Sequence, residues 1–192
     1  MEDSDQQQRD WLSGLARGDG QVFDAVYARY RPGVFAFLAR MTGRREVAED
    51  LLQEVWLRLA KSGHSLAPGT DLGAWLFTVA SNAARSYRRW RVVDFERVRQ
   101  ALFVPKAQQV SPFEAVSASQ AQRTLERALN ALSLTDRELL LLVGVEGLTP
   151  AQASTVLGLT PEALRQRLSR ARARLLTHVD DPELVSALGG LS

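Results

Sequence analysis

Cysteine is absent from all 192 residues, and histidine occurs only at His64 and His178. Disulfides and thiolate metal sites are thereby excluded, and two distant histidines make no imidazole cluster, so no metal and no cofactor is expected. Long apolar runs are missing as well. None approaches the roughly 20 residues that a membrane-spanning helix needs, and the acidic opening MEDSD reverses the basic start of a signal peptide. A soluble, cytoplasmic protein is expected. The chain also lacks an internal repeat and any useful length of strand-like alternation. It offers no activated nucleophile and no phosphate-cradling loop, so it is not expected to be an enzyme.

What remains is 45% hydrophobic and 24% charged, enough for one large or two small domains with real cores. The net charge of +2 is small but unevenly spread. Between Arg85 and Lys106 stand Arg85, Arg88, Arg89, Arg91, Arg97, Arg99 and Lys106 against Asp94 and Glu96 alone. Between Glu162 and Arg174 five arginines face one glutamate. Two separated basic clusters point to two nucleic-acid contacts, and the acidic segments elsewhere suit a protein partner.

The stretch GLTPAQASTVLGLTPEALRQRLSRARARLL (147–176) parses as a helix-turn-helix. Thr149 is placed to cap a helix whose first residue is Pro150, with Gln152 at capping-box spacing. That helix ends at Gly158, and Thr160 followed by Pro161 starts the next after a turn of about three residues. On the second helix Leu164, Leu168, Ala171 and Leu175 share one narrow arc. The opposite face carries Glu162, Gln166, Ser169 and Arg170, flanked by Arg165, Arg167, Arg172 and Arg174. Alone, such a face is most simply a solvated one. With two caps and a tight turn before it, it suits the major groove of duplex DNA, polar residues meeting base edges and arginines holding phosphates.

Residues 9–40 read as two helices separated by Gly18 and Gly20, with Pro32-Gly33 marking a kink or break in the second. The amphipathic segment 45–62 sets Leu52, Val55, Trp56 and Leu59 against Glu46, Glu49, Asp50, Gln53 and Glu54. A connector, GHSLAPGTD (63–71), leads to a helix expected to end near Arg91. Periodicity puts Trp75, Leu76, Val79, Ala80, Ala83 and Tyr87 on its buried arc, and Thr78, Ser81, Asn82, Arg85, Arg88 and Arg89 on its far side. Asparagine, arginine and the nearby Trp75, Tyr87 and Trp90 are the types that read, hold and stack unpaired bases. Periodicity lapses over 92–118 and resumes near Ser119. The fold expected is all-α, an N-terminal helical bundle (10–95) and a C-terminal helix-turn-helix domain (119–179) joined by an irregular linker (96–118), with a weak tail after Val179.

Taken in order, these segments resemble an extracytoplasmic-function sigma factor of the sigma-70 family, over roughly residues 10–95 and 120–178. AEDLLQEVWLRL (48–59) is similar to that family's polymerase-binding helix, AWLFTVASNAARSYRR (74–89) to its promoter-melting and minus-10 helix, and residues 132–175 to its minus-35 domain. The resemblance implies that core RNA polymerase, through its largest and second-largest subunits, promoter DNA and an anti-sigma factor are partners. It implies that Asp50, Gln53 and Glu54 contact the clamp helices and that Asn82, Arg85 and Arg89 follow the non-template strand. A flipped base is implied to enter the 63–71 loop, and the linker to run toward the RNA exit path. Departures from the pattern are Ser81 for arginine, Ser86 for aspartate, Ala153-Ser154 for a large apolar residue and alanine, and Leu164 for valine. The alternative is a free-standing LuxR-type helix-turn-helix regulator, which residues 135–176 resemble almost as well.

Overall fold

The computed structural model describes residues 2–101 and 120–179, the side chains of 2–5 and 91–101 excepted. All regular structure among them is helical, and the chain divides into two compact units, Met1–Pro112 and Phe113–Ser192.

The first unit is built from α1 (Glu2–Ala16), α2 (Gly20–Thr42), α3 (Arg45–Ser62) and α4 (Leu72–Ala101). Asp19 caps α2 by accepting from the Gln21 and Val22 amides. Glycine is required at position 14, because a Cβ there would stand 2.4 Å from Val22 Cγ2, where α1 closes on α2. Pro32 does not break α2, which runs as one helix through Val26, Val34, Phe37 and Leu38, all fully buried against α3 and α4. Phe37 meets Phe77 of α4 edge-on at 5.7 Å, and Trp56 of α3 packs on Tyr27 at 4.7 Å. Each such buried side chain contributes roughly 1.5–3 kcal/mol, so together they outweigh the roughly 3 kcal/mol that an interior proline costs a helix.

Between α3 and α4 the 63–71 connector opens with a 3-10 turn, Gly63–Ser65. Asp71 starts α4 by accepting from the Ala74 amide at 2.9 Å. Gly73 lies against the Tyr30 ring of α2, which also meets Trp11 of α1 at 6.0 Å, so the first two helices together fix the start of the fourth. Burial pushes the Tyr30 phenol above its usual pKa of 10.0, Asp71 adding to the rise and Arg29 opposing it.

Helix α4 departs from expectation twice. It continues to Ala101 rather than ending near Arg91. Residues 92–101 contain neither proline nor glycine, and a lapse of apolar periodicity is not a stop signal. Of the expected linker, 96–101 are thus helical and the rest lies outside the described residues, as does the expected tail after Val179. The helix is also rotated about its axis. Leu72, Leu76, Phe77, Ala80, Ser81 and Ala84 are buried, whereas Trp75, Val79, Ala83 and Tyr87 are only half-buried.

The second unit comprises α5 (Gln120–Ala131), α6 (Leu134–Leu140), a π-helical turn (Leu141–Val145), α7 (Pro150–Leu157) and α8 (Pro161–Leu176). The helix begun by α6 widens after Leu140, the Glu146 amide bonding the Leu141 carbonyl five residues back at 2.9 Å. Leu139, Leu140, Leu141 and Leu142 are all buried. Four successive residues sweep about 300° of a helix, so this segment is enclosed rather than laid on a surface. Arg137, 4% exposed, donates to the Leu129 and Asn130 carbonyls and so closes the end of α5.

Candidate nucleic-acid interface

The pair α7–α8 forms as its caps dictate. Thr149 Oγ1 accepts from the Gln152 amide and Gln152 Oε1 accepts from the Thr149 amide, at 3.3 and 2.8 Å, completing the capping box. Gly158 adopts the left-handed conformation at φ 64°, which lets the Leu159 amide return to the Ser154 carbonyl at 3.0 Å. Thr160 then caps α8 through the Ala163 amide. Leu164, Leu168, Ala171 and Leu175 are buried as expected. Glu162, Arg165, Gln166, Arg167, Ser169 and Arg170 are all exposed, with Arg170 Nε donating back to the Gln166 carbonyl at 3.2 Å. Arg174, expected on a phosphate-holding flank, is instead paired with buried Asp136 at 2.6 Å and ties the far end of α8 to α6.

On α4 the observed core arc leaves an outward face centred on Asn82. Trp75, Asn82 and Arg89, seven residues apart, follow one stripe of it. Asn82 and Arg89 are exposed, and Arg89 Nη2 donates to Ser86 Oγ at 3.0 Å, which lays the guanidinium along the same face. Trp75 is therefore at the edge of the core beside Asn82 rather than within the core. Ser81 moves the other way, being fully buried where the far side was expected. Arg85 and Arg88 are half-buried, and Arg88 Nη1 donates to the Met41 carbonyl at 3.1 Å. One wheel rotated by about 60° accounts for all these differences.

The 63–71 connector is preshaped by its own polar groups. Ser65 donates to the Ser62 carbonyl, Thr70 to the Ala67 carbonyl, and Asp71 caps α4. Between the connector and α1 lies an open cleft of ≈ 540 Å³ lined by Leu12, Leu66 and Pro68 together with Gln8, Arg9 and Ser13. A mixed apolar and polar lining is the kind that a base pocket uses.

On α3, Asp50, Gln53 and Glu54 are exposed together while Leu51, Leu52, Val55, Trp56 and Leu59 are buried. Sequence reasoning missed Leu57, which is 57% exposed on the same face. Its spacing was the available signal: it follows Asp50, Gln53 and Glu54 by seven, four and three residues, so a leucine stands among the carboxylates. Among the described residues no group of three acidic or imidazole side chains is placed to hold a metal ion, and no helix is long and apolar enough to cross a membrane.

Residues 26–92 match the family described as Sigma-70 region 2, and residues 122–175 that described as Sigma-70, region 4. The RNA polymerase sigma factor CarQ of Myxococcus xanthus is 34% identical over 168 residues, covering 87% of this chain and 94% of that protein. The ECF RNA polymerase sigma factor EcfG of Rhodopseudomonas palustris is 31% identical over 157 residues, covering 79% and 83%. Among solved structures, the sigma factor RpoE of Bartonella quintana, in complex with the anti-sigma factor NepR, is similar with a TM-score of 0.69 and 28% identity, over 83% of this chain and 98% of that one.

Proposed function

Because this chain belongs to the extracytoplasmic-function branch of the sigma-70 family, and so directs core RNA polymerase to promoters to start transcription, we propose that its two units divide the promoter between duplex and melted DNA. Residues 119–179 are assigned to the minus-35 duplex, with Glu162, Gln166 and Ser169 toward base edges and Arg165, Arg167 and Arg170 toward phosphates. Residues 10–95 are assigned to core binding and to the minus-10 strand, 96–118 joining the two. The LuxR-type alternative is set aside, because region 2 occupies residues 26–92, where such a regulator would carry its receiver or ligand-binding domain.

In this reading Asp50, Gln53 and Glu54 dock on the clamp helices of the largest subunit, with Leu57 as the apolar centre of the contact. Asn82 and Arg89 follow the non-template strand, Arg85 supports them with charge, and Trp75 borders the entrance to the connector. The cleft between α1 and the connector receives the flipped base. Arg88 is reassigned from strand contact to holding α4 on α2. The observation that carries the reading is the outward stripe of α4, where Asn82 and Arg89 are exposed and half-buried Trp75 borders the core on the same stripe.

An anti-sigma factor is a further partner, as the NepR-bound relative suggests. Bond-making is left to core polymerase, and the working location is the cytoplasm. The test is transcription with purified core polymerase and this chain, reading transcript 5′ ends. Promoter-specific transcripts that vanish with Asn82→Ala plus Arg89→Ala support the assignment. Unchanged transcripts would remove α4 from strand capture.

A further inference from the structure

The side chain of Asp136 is 5% exposed, and that of Arg174, its partner at 2.6 Å, is 59% exposed. One member of the pair is therefore in the core of the second unit and the other is in water. Such a pair does little for folding, because burying a carboxylate costs more than a half-solvated cation offsets. An apolar side chain would fill position 136 without that cost, so the use of the carboxylate lies in what it does to the arginine.

The anchor is firmly held. Ser133 Oγ accepts from the Asp136 amide at 3.2 Å, and the adjacent Arg137 donates to the Leu129 and Asn130 carbonyls, which clamps α6 to α5. On the α8 wheel Arg167, Arg170 and Arg174 lie within about 60° of one another, over about 10 Å of axis. Arg174 thus prolongs the flank of Arg167 and Arg170 toward the end of the helix, where recognition helices of the homeodomain kind meet the DNA backbone. It bonds Asp136 through Nη1. A guanidinium carries five donors in a planar fork, so donors remain for a second anion. Resting on the reading that residues 119–179 dock on the minus-35 duplex, we propose that Asp136 is a positioning residue, holding Arg174 ready for a backbone phosphate beyond those met by Arg167 and Arg170. An arginine already fixed in one rotamer loses little freedom on binding, which a solvated one must lose at that moment.

The test uses the full chain assembled with core polymerase, and as probe a duplex spanning the minus-35 region of a promoter defined by transcript 5′ ends, titrated at a series of salt concentrations. Arg174→Gln is expected to weaken binding roughly threefold to thirtyfold and to make the slope of log affinity against log salt shallower by about 0.9, the mark of one lost phosphate contact. Arg174→Lys keeps the ion pair and so the fold. It should still bind less tightly, because an ammonium turned to Asp136 lacks the fork that reaches a second anion. Asp136→Asn keeps the side chain's shape and removes its charge, which by electrostatics alone would tighten binding to DNA. Positioning predicts the reverse, binding about twofold to tenfold weaker, with Asp136→Asn and Arg174→Gln together no weaker than Arg174→Gln alone. The proposal is overturned if Asp136→Asn binds the duplex more tightly, or if Arg174→Gln and Arg174→Lys leave affinity and salt slope unchanged, which would make the pair a strut of the fold only. If Arg165→Ala weakens duplex binding and Arg174→Gln does not, this proposal alone fails. If neither does, docking of residues 119–179 on the duplex fails too.

Discussion

Arg88 and Arg89 are adjacent and equally charged, yet one helical step sends them to different tasks. Arg88 reaches the Met41 carbonyl in the last turn of α2, where helical carbonyls lack partners of their own. Arg89 stays on the exposed face, held by Ser86. Arg88→Ala is therefore expected to lower unfolding stability by about 1–2 kcal/mol in urea titration. Arg89→Ala should move it by less than about 0.5 kcal/mol and instead weaken binding to single-stranded promoter DNA. Equal losses of stability would contradict the division. A wheel drawn from the sequence groups both arginines, since it cannot show a carbonyl 47 residues away. Ser154 is a second case. It is 6% exposed, and its hydroxyl has no hydrogen-bond partner among the described residues. Ser154→Ala removes that cost and should stabilise the second unit by about 1 kcal/mol with promoter binding unchanged. A destabilised variant would show that the hydroxyl is bonded after all.

At the scale of the element, what was legible followed from how local the determinants are. The caps and turn of α7–α8 depend on residues within four positions of one another, so Thr149, Gln152, Gly158 and Thr160 could be read directly. The face of α4 depends on α2 and α3. Apolar residues occupy more than half of its wheel, so periodicity placed Leu76 and Ala80 correctly but flanked them with Trp75, Val79, Ala83 and Tyr87 rather than with Phe77, Ser81 and Ala84. Packing selects the second flank, whose small Ser81 and Ala84 beside Ala80 let the neighbouring helices close in. The same limit hid Leu57, because an exposed leucine differs from a buried one only by its partners. Its face yields a prediction. Asp50→Arg with Glu54→Arg is expected to weaken binding to core polymerase at least about tenfold, a coupling of about 1.4 kcal/mol or more, without loss of helicity. Leu57→Ala should weaken it less, and through faster dissociation. Unchanged affinity with intact helicity would move the contact elsewhere.

At the scale of the whole molecule, the two units are assigned separable physical steps, and variants should separate them. Arg165→Ala and Arg170→Ala belong to docking on duplex. Each should reduce promoter binding by roughly 1–3 kcal/mol where a base is read, or by a smaller uniform amount with a salt slope shallower by about one where only phosphate is held. Neither should be relieved by opening the DNA in advance. Asn82→Ala with Arg85→Ala belongs to capture, and melting costs a few kcal/mol that only captured bases return. That double variant should form closed complexes at nearly normal affinity and lose permanganate reactivity of thymines in the minus-10 region. On a template carrying a pre-melted bubble the cost of opening has already been met, so transcription by the double variant should partly recover. Normal opening by this variant would place strand capture outside α4. So would failure of the bubble to help while core binding is intact, because a defect that survives melting is not a defect in holding the melted strand.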